Sequence, residues 1–174
     1  MIVGIGIDIV EVSRIGERLA ERILGPREKE IFSLRGRNVE FLAGRFALKE
    51  AFFKALGTGL NGHSFTDVEF LEEKGRPVVL LRKDFGLFNF VHASLSHDEF
   101  VVAIVILEKL KGNIFVKGDL DVLRQHFEVV GESGEEWEIE TDLPPYALKR
   151  RLEEMRCELT RYGNVLLEVS GHSE

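Results

Sequence analysis

Apolar and polar positions alternate strictly at the start of the chain. In "IVGIGIDIV", Val3, Ile5, Ile7 and Ile9 take one side of an extended segment; Gly4, Gly6, Asp8 and Val10 take the other. That is the period of a strand, and its glycines bare one face just before an acid. Such a face suits close approach by a helix, a ligand or another backbone. The period then turns helical. A short helix is expected from about Ser13, as N-cap, to Leu24, and a second in "GPREKEIFSL" after its Gly-Pro punctuation. The third and longest runs from Asn38, as N-cap, to Gly57, a fitting residue beyond a helix end. "TDVEFLEE" and "RPVVLLR" read as strands about an "EKG" turn, and "FNFVHASLSH" with "FVVAIVILEKL" as a hairpin broken at "HDE". The last run is nearly continuous in Val, Ile and Ala, which predicts a central, buried strand. Strands and helices mix without βαβ regularity, so the fold class is α+β.

Beyond Asn113 the pattern starts afresh. "NIFVKG" predicts a strand, "DLDVLRQHF" a short helix capped by Asp119, and "FEVVGE" with "EWEIET" a hairpin around Ser133-Gly134. "PYALKRRLEEMRCELTRYG" predicts a long helix opened by Pro145 and closed by Gly163, and "NVLLEVSG" a last strand. The resulting β-α-β-β-α-β order is ferredoxin-like. Charge supports the same division. Residues 1–111 hold 16 Lys+Arg against 16 Asp+Glu, so the net charge of -7 falls wholly on 112–174. Two units are therefore expected, 1–110 and a small acidic accessory unit at 112–174.

Composition narrows the class. A 44% hydrophobic fraction with 13 Phe can fill a core. No apolar run approaches the roughly 20 residues of a bilayer span, and the N-terminus reads as a strand and not as a signal peptide. The single cysteine, Cys157, admits no intramolecular disulfide, fits a reducing cytoplasm and reads as structural.

Candidate chemistry gathers on the third helix, "AGRFALKEAFFKALGTG". Glu50 and Lys54 share one face with Phe46, while Arg45 and Lys49 form a second pair on a neighbouring face. Surface salt bridging would account for such pairs. Against it, the neighbouring positions are crowded with phenylalanine, and the helix runs out into a Gly-Thr-Gly loop that an anion can approach. Pyrophosphate binding wants such residues: Mg²⁺ takes one or two carboxylates, which Asp8 and Glu50 could supply, with Lys and Arg to neutralise phosphate. Spacing alone does not establish that Asp8 meets Glu50. In "HASLSHD", His92, Ser94 and Ser96 share a strand face and His97 follows at its end, a poor metal pair but a set suited to phosphate oxygens or to ordinary hairpin polarity. No P-loop, G-x-S-x-G or HExxH occurs, and "GIGIDIV" lacks the third glycine of a dinucleotide fingerprint.

Taken together, "GIGIDIVEVSRI", "FLAGRFALKEAFFKALGTG" and "VHASLSHD" resemble the holo-[acyl-carrier-protein] synthase family, small phosphopantetheinyl transferases, over about residues 1–110. The resemblance implies that fold and a reaction: the 4′-phosphopantetheine arm of coenzyme A passes to a serine of apo acyl carrier protein, leaving adenosine 3′,5′-bisphosphate, in fatty-acid synthesis. It implies Asp8 and Glu50 as Mg²⁺ ligands and Lys54 at the pyrophosphate with Gly57 beside it. Arg45 and His97 would contact the nucleotide and its 3′-phosphate, and Arg14 would face the acidic carrier. Asp8, Glu50 and Lys54 would be the catalytic set, with Glu50 or a metal-bound water accepting the serine proton. It further implies a homotrimer whose coenzyme A sites are shared between subunits; neither nucleic acid nor membrane is an expected partner.

Leu48 stands where the family has a small residue, and the segment between Ile15 and Phe41 is shorter than in many relatives. The unit 112–174 has no counterpart in the ordinary family; its only candidate contact for an acidic partner is the Lys149-Arg150-Arg151 cluster. Two other readings stand beside the main one: action on a peptide- or polyketide-synthase carrier, and a non-catalytic coenzyme A-binding module, against which the intact Asp8, Glu50 and Lys54 argue.

Overall fold

The computed structural model describes residues 1–168. Two sheets and one long helix set the architecture. Strand β1 (Ile2–Glu11), β4 (Phe90–His97) and β5 (Phe100–Glu108) form an antiparallel sheet in the order β1-β5-β4. Across it helix α3 (Val39–Leu56) lays its small residues. A Cβ on Gly6 would stand 1.8 Å from the Ala51 carbonyl oxygen, and one on Gly4 1.9 Å from that of Ala55, so helix and strand backbones touch. The bare glycine face therefore serves helix packing. Asn38 caps α3, its side chain accepting from the Phe41 amide, and Gly57 ends it at φ 75°.

Strand β5 is central, as the pattern predicts, but it is buried on one side only. Val101, Ala103, Val105 and Leu107 face α3, while Phe100 and Val102 lie open on the opposite face with Ile5, Ile7 and Ile9 of β1. Its near-continuous apolar run thus serves two surfaces, one of them outside the chain's own core.

The expected first helix is broken up. Val12–Arg14 and Glu17–Leu19 are single 3-10 turns, with extended backbone at Ile15 and Gly16, and only Ala20–Ile23, α1, is α-helical. Ser13 bonds Glu11 instead of capping a helix. Helix α2 (Pro26–Leu34) follows as predicted, and strands β2 (Val68–Glu73) and β3 (Arg76–Leu81) form the expected hairpin.

After residue 113 come β6 (Ile114–Lys117), α4 (Leu120–Arg124), β7 (Glu128–Ser133), β8 (Glu136–Glu140) and α5 (Pro145–Glu154). Asp119 caps α4, its carboxylate accepting from Asp121 and Val122 amides. The long helix expected to reach Gly163 stops at Glu154. Arg156 adopts a left-handed φ of 58°, the Cys157 amide closes on the Leu152 carbonyl, and "ELTRY" becomes strand β9 (Glu158–Tyr162) on the edge of β6. A β-branched residue and an aromatic one (Thr160, Tyr162), next to an open strand edge, outweigh a weak helical period.

The four strands β9-β6-β8-β7 lie antiparallel in that order, so the ferredoxin-like sequence of elements is present with β9 as its last strand. The strand expected in that role, β10 (Val165–Leu167), runs parallel to β3 and joins both segments in one seven-stranded sheet, β2-β3-β10-β9-β6-β8-β7. Residues 169–174, which include the end of the expected last strand, lie outside the described residues. Asp84, between β3 and β4, accepts from the amides of Tyr146 and Ala147 and so caps α5. Cys157 is buried and unbridged. No helix among the described residues is long and apolar enough to cross a membrane.

Candidate active site

On β1, the residue two beyond Gly6 is Asp8, on the strand face that meets α3. The helix presents Glu50 and Lys54 one turn apart, and Lys54 Nζ donates to Asp8 Oδ1 at 2.7 Å and to the Ile7 carbonyl oxygen at 3.2 Å. Glu50 is half-buried in the same place. Burial, and then the nearby Asp8 charge, raise its carboxyl above the ordinary glutamate range, with Lys54 pulling the other way. The three residues expected to carry the chemistry are therefore together. Two neighbouring carboxyl groups beside an exposed lysine have the donor chemistry for a hard divalent cation bound to phosphate. Gly57 ends α3 one turn after Lys54, exposed, and opens the glycine loop Gly57–Gly62, in which all three glycines have positive φ.

Arg45 and His97 lie elsewhere. Arg45 is five residues before Glu50, which turns it about 140° around the helix. It points toward β4 and shares with His97, Leu95, Phe41, Asn38 and Arg35 a cleft of about 550 Å³. His97 aligns through Val101 with Val10, so it is on the same sheet face as Asp8 but two strands and one row away, roughly 12 Å between Cα atoms. His92, Ser94 and Ser96 point to the opposite face, where they align with Ile106, Ile104 and Val102, and His92 pairs with Glu108 at 2.7 Å. "HASLSHD" thus contributes His97, and not its serines, to the α3 side. A smaller groove of about 180 Å³ also uses Arg45, between the open edge of β4 and the β2–β3 hairpin at Pro77 and Val79.

One set of residues is not legible in the local pattern. Lys49, which the helical period sets beside Arg45, is fully buried, its ammonium 2.5 Å from both Glu28 Oε2 and the Ile23 carbonyl oxygen. Glu28 also accepts from the Gly25 and Phe70 amides and faces Arg45 Nε at 3.6 Å. Burial pushes Glu28 up and Lys49 down, each opposed by the other's charge. Arg45 also stacks on Phe41, its guanidinium carbon 4.4 Å from the ring centroid. A second buried acid, Glu69, accepts from the Glu28 amide and from Arg82. The only sequence signal was a glutamate three residues into a Gly-Pro-started helix, an ordinary N-terminal feature.

The model of one family matches the chain over residues 4–105, which hold most of β1, all of α3 and β4, and most of β5: that of the 4'-phosphopantetheinyl transferase superfamily. The chain belongs to the 4'-phosphopantetheinyl transferase superfamily. Among curated members of it, the holo-[acyl-carrier-protein] synthase of Thermotoga maritima is 65% identical over 167 residues, 96% of this chain and 99% of that one. The holo-[acyl-carrier-protein] synthase of Geobacillus kaustophilus is 50% identical, but over 63% of this chain and 92% of its own. Solved structures divide the same way. The Thermotoga maritima synthase superposes with a TM-score of 0.93 over 97% of this chain and 100% of its own, at 64% identity. A Bacillus anthracis synthase in complex with CoA (3',5'-ADP) gives 0.54 over 63% of this chain and 99% of its own, at 43% identity. The transferase portion is thus common to all of them, and the C-terminal segment is matched over nearly its full length by the Thermotoga protein.

Proposed function

We propose that the protein is a holo-[acyl-carrier-protein] synthase: it transfers the 4′-phosphopantetheine of coenzyme A to a serine of apo acyl carrier protein. The observation that carries this reading is the meeting of Asp8, Glu50 and Lys54 across β1 and α3, within a chain 65% identical to a synthase over 96% of its length. In the reaction the serine oxygen bonds to the pantetheine-bearing phosphorus and the pyrophosphate linkage breaks. Adenosine 3′,5′-bisphosphate leaves, and the serine proton passes to an acceptor.

Asp8 and Glu50 would hold Mg²⁺, which supplies charge neutralisation on the pyrophosphate. Lys54, exposed on the rim, places a cation where the linkage breaks and keeps Asp8 turned toward the site. Glu50 or a metal-bound water would take the serine proton. The loop from Gly57 leaves backbone room beside the phosphates. Arg45 and His97, sharing one cleft, would take the nucleotide and its 3′-phosphate.

The placement of these two sets also supports a homotrimer with shared sites. Asp8 lies on one edge strand of the β1-β5-β4 sheet and His97 on the other, while the outward face with Ile5, Ile7, Ile9 and Val102 is apolar and exposed. Packing copies through that face would cover it and bring one chain's Arg45–His97 cleft toward the next chain's metal pair. Arg14 is exposed on the first 3-10 turn, and Arg18 and Arg22 are exposed farther along the same segment. Arg22 and Glu21 rim a mixed hollow with Phe46, Leu60, His63 and Phe65, and Phe46 is one helical turn before Glu50. An acidic carrier docked there would reach the reacting groups. A single buried thiol and the use of coenzyme A fit a cytoplasmic setting.

The test is intact-mass measurement of apo acyl carrier protein after incubation with this protein, coenzyme A and Mg²⁺. One added phosphopantetheinyl group, lost with Glu50→Ala, is the expected result. No added mass with the wild-type protein would refute the reading; modification of a peptide-synthase carrier alone would change the substrate.

A further inference from the structure

The Geobacillus synthase covers 63% of this chain and the family model ends at residue 105, so residues from the C-terminal segment that reach the transferase portion are additions to it. One residue reaches farthest. In the tight turn between β9 and β10, Asn164 turns its amide onto the open edge of β4. Its Oδ1 accepts from the Val91 amide at 2.8 Å and its Nδ2 donates to the Val91 carbonyl oxygen at 2.9 Å. A single side chain thus forms the pair of bonds that a neighbouring strand residue would. Meanwhile the Asn164 carbonyl oxygen accepts from the Val79 amide of β3, and its own amide donates to the Asn89 carbonyl oxygen just before β4. The preceding residue, Gly163, has φ 57°, and a Cβ there would meet the Asn89 oxygen at 1.7 Å, so the turn can sit this deep only with glycine.

Asn89 fixes the same junction from the other side. Buried completely, it donates to the Leu110 and Gly112 carbonyl oxygens and accepts from the Leu110 amide, which ties the connection between the two segments.

What Asn164 joins matters for the site. Val79 and Val91 are opposing walls of the groove that also holds Arg45, Pro77, Ala93 and Leu95. Val91 presents its polar backbone groups outward, so by the two-residue period Ala93 and Leu95 present theirs into the same groove. Two residues past Leu95, at the end of the same strand, is His97. At the Val79–Val91 end of the groove, Asn164 therefore bridges the two strands, its side-chain amide on β4 and its main-chain carbonyl oxygen on β3.

We propose that Asn164 is a positioning residue for coenzyme A: by clamping β4 to β3 it holds the groove beside Arg45, and His97 beyond it, at the width that the nucleotide end requires. The proposal rests on the assignment of Arg45 and His97 to the nucleotide. It also gives the C-terminal segment a part in the transferase reaction without placing any reacting group in it.

Steady-state kinetics of full-length Asn164→Ala and Asn164→Asp, with coenzyme A and apo carrier varied separately, test it. Loss of two hydrogen bonds at the wall predicts a KM for coenzyme A raised roughly three- to ten-fold. KM for the carrier and kcat should stay within about two-fold. Thermal stability lowered with KM for coenzyme A unchanged would overturn the proposal, and so would parallel rises in both KM values. A companion measurement needs no variant. In the wild-type protein, adenosine 3′,5′-bisphosphate should slow hydrogen exchange at the Val91 amide, because ligand and clamp stabilise the same arrangement. Unchanged exchange with the ligand bound would overturn the proposal even if the variants fail to fold. Failure of the wild-type protein to bind the bisphosphate or to transfer would instead refute the functional reading beneath it.

Discussion

Lys49 Nζ lies 2.5 Å from Glu28 Oε2, and neither side chain is open to solvent. The pair locks α2 to α3 one residue before Glu50. Removing one partner leaves a buried charge without its counterpart, so Lys49→Met should destabilise the fold by about 3–5 kcal/mol. The double replacement Glu28→Leu with Lys49→Leu should recover only part of that loss, because Arg45 then loses the carboxylate it faces and the Gly25 and Phe70 amides lose their acceptor. Urea unfolding of the single and double variants, followed by circular dichroism, checks both values.

Gly6 is the tightest point between β1 and α3. Gly6→Ala drives a methyl into the Ala51 carbonyl oxygen, and since backbone meets backbone there, the helix must move. A stability loss of at least about 1–3 kcal/mol is expected. Transfer activity should fall more steeply than stability, because Asp8 and Glu50 are held apart by the same displacement. Initial transfer rates set against melting temperature separate the two effects.

Glu50 links pH to stability. Its folded carboxyl holds a proton to higher pH than in the unfolded chain, so the folded state binds more protons through that interval. Without metal, stability should therefore fall as pH rises from the ordinary glutamate range through the folded pKa. Glu50→Gln should flatten that fall, raising the melting temperature at neutral pH while abolishing transfer. Mg²⁺ should raise the melting temperature of the wild-type protein at neutral pH and leave that of Asp8→Asn nearly unchanged. Differential scanning calorimetry with and without Mg²⁺ reads all three.

The sheet face carrying Ile5, Ile7 and Ile9 should hold the assembly together. Ile7→Glu places a charge in its middle and should give monomers in analytical ultracentrifugation, with activity lost along with assembly. A complementation test probes the shared site directly. Glu50→Ala and His97→Ala chains, each inactive alone, should regain part of the activity when refolded together, because a site shared between subunits would then draw one intact half from each chain.

Much of the transferase fold was legible because its signals are local. The alternation of β1, the Asn38 cap and the Gly57 stop of α3, and the β2–β3 turn each depend on a few neighbouring residues and on backbone preference. The errors fell where a distant partner decides. A strand edge on β6 claimed Glu158–Tyr162 from a helix that the period extended too far, and Ser13 found Glu11 in place of a helix N-terminus. The buried partner of Lys49 was not legible because nothing near it in the chain announces Glu28, 21 residues earlier.

By itself the sequence determined which residue types stand at each face: two acids and a lysine in the periods of β1 and α3, and a glycine track on which a helix can lie. Those are properties of spacing, and spacing belongs to the chain. The tertiary structure alone decided that Asp8 meets Lys54, that Arg45 turns to the far edge of the sheet, and that Asn164 closes the gap between β3 and β4. Each is a contact between residues distant in the chain, created when burial of apolar surface and satisfaction of open backbone edges select one packing from many.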